Sequence, residues 1–188
     1  MPSVLVTPPA AEPISLAETK AHLRVTHADE DILIGALIAS ARRIVEARSG
    51  LALLAQTWDC YRDGWPQDGI VELPVSPLTA IAELAVYGED DTKAAIDPSH
   101  YYADLASRPP RLLLRGSRTW PPPGRALNGI AVTVEAGFGT ASSDVPGPLR
   151  QAMLVLIAHW YEHRGDGEPP PVPATFDVLI APYREVRL

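Results

Sequence analysis

Cysteine is nearly absent from this chain of 188 residues: Cys60 stands alone, so no internal disulfide forms and no thiolate cluster holds a metal. That usage fits a reducing compartment. Lysine is almost as scarce, with Lys20 and Lys93 the only two, so nearly all the positive charge is arginine, the cation suited to fixed protein contacts. Positive charge is also outnumbered. A formal net charge of -7 gives no general attraction to nucleic acid or to an acidic membrane surface. Long apolar runs are missing too: the longest, residues 152–158, falls far short of the roughly 20 residues that span a bilayer. No basic start and apolar centre of a secretion signal opens the chain, so the expectation is a soluble protein made in the cytoplasm.

What the chain has in quantity is proline, 20 residues clustered at 8–13, 109–110, 121–123 and 169–173. Such clusters mark extended connectors, because proline continues neither a helix nor a central strand. With 46% apolar and 21% charged residues, the remainder has an ordinary globular composition.

The best-specified element is VPGPLRQAMLVLIAHWYEHRG, residues 145–165. Leu149, Ala152, Met153, Leu156, Ile157, Trp160 and Tyr161 recur at helical spacing and make a broad apolar stripe. Pro148 suits a first turn, Asp144 is available as a cap, and Gly165 is the expected stop. The stripe needs a partner, and the other long helical pattern lies about a hundred residues upstream, at 29–49. There Ile34, Leu37, Ile38, Ala41, Ile44 and Val45 keep the spacing, while Ile32, Leu33 and Ala36 widen the apolar face. Acidic residues crowd its first turn and arginines its last, as the helix dipole prefers. Thr26 to Asp29 resembles a capping box, and Gly50 ends the helix. Ahead of it, Ser15-Leu16-Ala17-Glu18 reads as a capping box opening a shorter helix.

Between residues 51 and 137 the period changes. Six short strand-like runs, at 57–65, 70–73, 81–87, 101–103, 111–115 and 130–136, are separated by Gly, Pro and Asp turns at the spacing of an antiparallel sheet. The expectation is therefore an α+β fold. Three to four helices form a small bundle from residues 15–50 and 145–165. An antiparallel β sub-domain is inserted at 51–137, an extended arm covers 1–14, and 166–188 is a linker and docking segment. Phe176, Leu179 and Ile180 in that last segment carry too much apolar surface to be left in water. They either fold back on the core or dock on another protein.

Chemistry-bearing motifs are few. His159, Glu162 and His163 match the H-x-x-E-H pattern of a zinc peptidase group, in which histidines four apart on a helix reach one metal. A further ligand is required, and only Glu168 and Glu185 follow. The bland alternative is a pair of histidines at the edge of an apolar stripe. Arg108, Arg111, Arg115, Arg118 and Arg125 lie in a span with no acidic residue between Asp104 and Glu135, interleaved with Trp120 and prolines. They suit phosphates or an acidic protein surface, or merely rim a solvated hairpin. Gly137-Phe138-Gly139 lacks the Gly-Lys-Ser/Thr continuation of a phosphate loop and reads as a turn.

The arrangement as a whole resembles the head-tail connector (adaptor) proteins of tailed bacteriophages and phage-like gene transfer agents. The resemblance runs from Glu12 to Arg184. It is carried by EPISLAETKAHLRVTHADEDILIGALIASARRIVEARSG, TWDCYRDGWP, DVPGPLRQAMLVLIAHWYEHR and the closing LIAPYR. It implies a structural role without a catalytic residue, metal or cofactor. The chain would sit in a virion neck as a homo-oligomeric ring, typically a dodecamer, between a portal protein and a stopper or tail completion protein. DNA would pass through without specific binding, and no membrane is involved. The resemblance also implies that the C-terminal segment, through Phe176, Leu179, Ile180 and Tyr183, reaches the portal. Two other classes stay open from the residues: a zinc-dependent hydrolase using His159, Glu162 and His163, and a DNA-packaging factor binding duplex through Arg108 to Arg125.

Overall fold

The structure, a computed structural model, describes residues 1–164 and 171–184. It divides into two units, each assembled from separated stretches of chain: Met1–Pro8 with Ala55–Gly137, and Pro9–Leu54 with Phe138–Leu188.

The first unit holds the strands. In chain order they are β1 (Ser3–Thr7), β2 (Gln56–Arg62), β3 (Val71–Glu72), β4 (Leu78–Tyr87), β5 (Lys93–Ala95), β6 (Tyr101–Asp104), β7 (Arg111–Leu114) and β8 (Ile130–Ala136). They form an antiparallel sheet in the order β1-β2-β8-β4-β5 and a smaller one in the order β3-β7-β6. The central strand β8 keeps Val132 and Val134 buried while Glu135 is exposed, the alternation its sequence shows. Six strands were expected and eight are described. The additions are β1, which lies within the N-terminal arm, and the three-residue β5. Two loops are tied together by a stack of Trp65 on Trp120, with ring centroids 4.3 Å apart. Both indole N–H groups are satisfied, Trp65 by the Pro121 carbonyl at 2.7 Å and Trp120 by the Gly69 carbonyl at 3.0 Å.

The second unit is helical: α1 (Leu16–Leu23), α2 (Asp31–Ser49), α3 (Gly147–Glu162) and α4 (Ala174–Ile180). Ser15 caps α1 as its sequence requires, its hydroxyl accepting from the Glu18 amide at 3.1 Å. The start of α2 differs from expectation. Its first flanking residue is Glu30 rather than a residue of the 26–29 tetrad, and no side chain caps it. Nor does Asp144 cap α3: its carboxylate accepts from the Ala141 amide at 2.9 Å, inside the preceding loop. That same carboxylate occupies the space a side chain at position 139 would need, 2.2 Å from an added Cβ, and Gly139 has φ of 157°. The glycine pair is thus a turn fitted around Asp144. Gly165, the expected stop of α3, lies outside the described residues.

Ile34, Ile38, Ala41 and Val45 of α2 meet Leu149, Met153, Leu156 and Ile157 of α3 in one buried cluster, joined by Ile14, Leu53 and Leu54 from the flanking loops. Each fully buried aliphatic side chain contributes about 1.5–3 kcal/mol of burial free energy, so this seam dominates the stability of the unit. Polar clamps close around it. Arg42 is 8% exposed and donates to Glu12 at 2.8 Å and to Glu46 at 3.0 Å. Arg150 reaches the Pro13 carbonyl at 3.1 Å and Glu18 at 2.7 Å. Glu30 accepts from the Tyr161 hydroxyl and from Arg164, the latter at 2.6 Å. No described helix is long and apolar enough to cross a membrane.

Candidate functional site

Of the two courses open to the C-terminal segment, folding back or docking, with portal contact through Phe176, Leu179, Ile180 and Tyr183 implied by the resemblance, the structure shows the segment folded back: Phe176 and Ile180 are 1% and 0% exposed inside the helical core, and Leu179 and Tyr183 pack against that core. The reason is spacing. Phe176 and Ile180 are four apart on α4 and fall on one face, which takes the burial that water would penalise. A 3-10 turn, Ala181–Tyr183, carries the chain through Pro182. What α4 shows to solvent is Val178, 71% exposed, together with an Asp177 to Arg184 ion pair at 2.7 Å. The adjoining 165–170 stretch of the expected linker lies outside the described residues.

The five arginines do not form one free cationic patch. Asp104 holds Arg111 at 3.0 Å, and Asp91 holds Arg125 at 3.1 Å. Arg115 donates to the Tyr101 carbonyl at 2.8 Å and lies 3.9 Å over the Tyr102 ring. Arg108 and Arg118 are exposed. The acid-free span in the sequence is therefore misleading: hairpin pairing brings Asp104 of β6 to Arg111 of β7, and the β4–β5 turn brings Asp91 to Arg125. Asp104 is anchored firmly. Bonds from the Ser107 hydroxyl and amide, then from Arg111, bring its carboxyl down to about 2. Trp120 of this span and Tyr101 and Tyr102 of β6 are also engaged internally, Trp120 and Tyr101 with ring centroids 6.5 Å apart and Tyr102 under Arg115.

The histidine motif is on α3 as expected. His159 is buried, and the two imidazoles lie 4.9 Å apart. Nδ1–H of His163 donates to the His159 carbonyl at 2.8 Å, an ordinary helix-end bond. Among the described residues no group of three His, Cys, Asp or Glu side chains is placed to hold a metal ion. Glu168 and Glu185 lie outside the described residues. Cys60 is buried in β2, and burial pushes its thiol up to about 12, which removes it as a nucleophile at neutral pH.

Sequence reasoning missed the surface of β1. All five of its residues are exposed, with Val4, Leu5 and Val6 at 56%, 38% and 53%. On α2, Ile32 and Ile44 also stand in water at 91% and 40%. Apolar side chains exposed together on regular elements are the kind of surface that contact with another chain would cover.

This is the class of protein the geometry defines: a structural piece that works by contact. The chain belongs to the phage gp6-like head-tail connector protein family, whose signature it matches over residues 13–107. It is similar along 100% of its length to a chain in the neck of an empty gene transfer agent particle computed with C6 symmetry, at 25% identity, a TM-score of 0.85 and 97% coverage of that chain. A chain from the virion of a native gene transfer agent particle is similar with the same identity and coverages and a TM-score of 0.86. So is one from the neck of a native gene transfer agent particle computed with C12 symmetry, with a TM-score of 0.83. No curated protein sequence matches the chain.

Proposed function

We propose that this chain is a structural component of the neck of a tailed phage or gene transfer agent particle, where copies of it form a ring joining the portal to the stopper or tail completion proteins. The observation that carries this reading is the full-length similarity to chains of gene transfer agent necks, at a TM-score of 0.85, in a chain of the connector family. The C12 symmetry of one of those necks supports a ring of twelve. Ring closure needs two different complementary faces on each copy. The outer side of α2, with Ile32, Leu33 and Ile44, supplies an apolar one.

Portal contact falls to the C-terminal segment in this reading. Phe176 and Ile180 anchor α4, while Val178, Leu179 and Tyr183 face the portal. Arg108 and Arg118, exposed on the strand unit, meet an acidic protein surface, with Arg111, Arg115 and Arg125 fixed beside them by their own carboxylate and carbonyl partners. The net charge of -7 suits a channel that lets DNA pass without gripping its phosphates.

Electron micrograph class averages of particles carrying a labelled copy of this chain test the proposal. Label confined to the junction between head and tail is the expected result, and a deletion strain should accumulate filled heads without tails. Label elsewhere, or normal tailed particles without the protein, refutes it.

A further inference from the structure

The strand unit carries a cleft of about 540 Å³, lined by the end of β5, the 3-10 turn Pro98–His100, the end of β7 and the loop that follows it. That volume lies in the range of clefts that take a ligand group. Its apolar lining is Ala95, Ile96, Leu114 and Pro121, of which Ile96 is buried and Leu114 and Pro121 are half-buried. Ser117, Arg118 and Thr119 are exposed at its mouth. The walls are held by bonds made outside the cleft. The Ile96 amide donates to the Leu84 carbonyl at 2.7 Å, the Arg115 amide donates to the His100 carbonyl at 2.9 Å, and the Pro121 carbonyl accepts from the Trp65 indole at 2.7 Å. A recess fixed in this way needs little ordering when a group enters it.

Donors and acceptors in the cleft are out of balance. Its one carboxylate, Asp97, is already committed: it caps the 3-10 turn, accepting from the Ser99 amide at 2.8 Å, and the Ser99 bonds hold its carboxyl below the usual range. The donors are not committed. Among the described residues, the Arg118 guanidinium, the Ser117 and Thr119 hydroxyls and the His100 imidazole make no hydrogen bond. Arginine donates only, and each of the other three has a hydrogen to give. What completes this set is an acceptor with negative charge, and what covers Ile96 and Leu114 is an aliphatic group.

We infer that this cleft receives the carboxylate of an aspartate or glutamate together with an adjoining aliphatic side chain, both borne on a segment of another neck protein. The inference rests on the connector reading given above and names what Arg118 meets there. Arg118 takes the carboxylate in a charge-assisted pair, and the aliphatic group removes the apolar lining from water. A DNA phosphate is the poorer occupant. It brings no apolar group, and duplex binding gathers several cations, whereas this cleft has one permanent cation beside the Asp97 carboxylate. A second copy of this chain also fits less well. Among the described residues, Asp177, beside the exposed Val178, is held by Arg184 at 2.7 Å, Glu83 is held by Lys93, and Glu72 and Glu135 are flanked by buried residues.

The test begins with the full chain in solution, titrated with 4-methylpentanoate while the Ile96 and Leu114 methyl signals are followed by NMR. These signals should move and saturate with a Kd on the order of millimolar. 4-Methylpentanamide, of the same shape but uncharged, and inorganic phosphate should each bind at least about tenfold more weakly. Arg118→Gln should melt like the parent and lose about tenfold in affinity for the carboxylate. No saturation by the carboxylate, equal binding of the amide, equal binding of phosphate, or full affinity in Arg118→Gln each overturns the inference. In assembled particles, the photocrosslinker p-benzoylphenylalanine in place of Thr119 should capture a peptide of a different neck protein that has an acidic residue beside an aliphatic one. Capture of DNA or of another copy of this chain overturns the inference, as does no capture when the chain is found in the neck. Absence of the chain from the neck overturns the connector reading, and the titration still decides which chemistry the cleft accepts.

Discussion

Replacing Phe176 by alanine tests whether the C-terminal segment belongs to the core. The ring is 1% exposed and sits in the cluster with Ile34, Leu149 and Ile157. Truncating a buried phenylalanine costs about 3–5 kcal/mol, the lost transfer free energy plus the cavity left behind. The helical unit is about a hundred residues long. At that size each kcal/mol lowers the melting temperature by about 4–8 °C, so Phe176→Ala should melt at least about 12 °C below the parent. All four α-helices among the described residues are in this unit, so helical ellipticity followed against temperature reports on it directly. Val178→Ala, two positions away and 71% exposed, is the matched control and should shift stability by less than about 0.5 kcal/mol. Equal melting of the two variants would refute the reasoning: α4 would then be bound loosely, and Phe176 would be free for a partner.

Other consequences are open to measurement. Arg42→Met should destabilise the helical unit by about 3–5 kcal/mol in denaturant titrations, because Glu12 and Glu46 are left facing each other beside a buried surface without their shared cation. The Glu30 carboxyl is held below its usual range, first by the Tyr161 hydroxyl and then by Arg164, against the opposing pull of burial. A depressed carboxyl stabilises the fold above its unfolded pKa, and that contribution fades as pH falls through the folded value. Stability should therefore drop on acidification less steeply in Glu30→Gln than in the parent, and Tyr161→Phe should raise the Glu30 pKa seen by NMR. Asp104 should titrate near 2 and move upward in Ser107→Ala, whose lost hydroxyl is the largest cause of its depression. Cys60 should resist thiol reagents in the native protein and react once unfolded.

The helices were legible because a 3.6-residue period is a local signal, and α2 and α3 carry it over several turns each. Their caps were less so. Asp144 and the 26–29 tetrad had the right residue types, but the first is consumed by the Gly139 turn and the second stops short of Glu30. β1 was hidden for a different reason: it is exposed on both faces, so no alternation betrays it, and Pro2 and Pro8 flank it as they would a plain connector. The division of the strands into two sheets depends on pairings such as β2 with β8, whose partners run from Gln56 with Ala136 to Arg62 with Ile130 and which no short window contains. The same distance effect misled the reading of the arginines, whose carboxylate partners arrive through the fold. For the C-terminal segment the sequence posed two alternatives, docking inward or outward, and the burial of Phe176 and Ile180 is a packing outcome that no local pattern displays.

Neither unit is a continuous piece of chain. The strand unit needs its first eight residues together with a stretch that ends at Gly137, and the helical unit cannot close α2 until α3 has been made. On the ribosome, therefore, the strand unit has all its residues once Gly137 is made, whereas the first half of the helical unit waits for α3, and a product interrupted between the two has no finished helical module. Since Phe176 and Ile180 of α4 complete the buried core, only a polypeptide translated as far as that last helix carries both units finished.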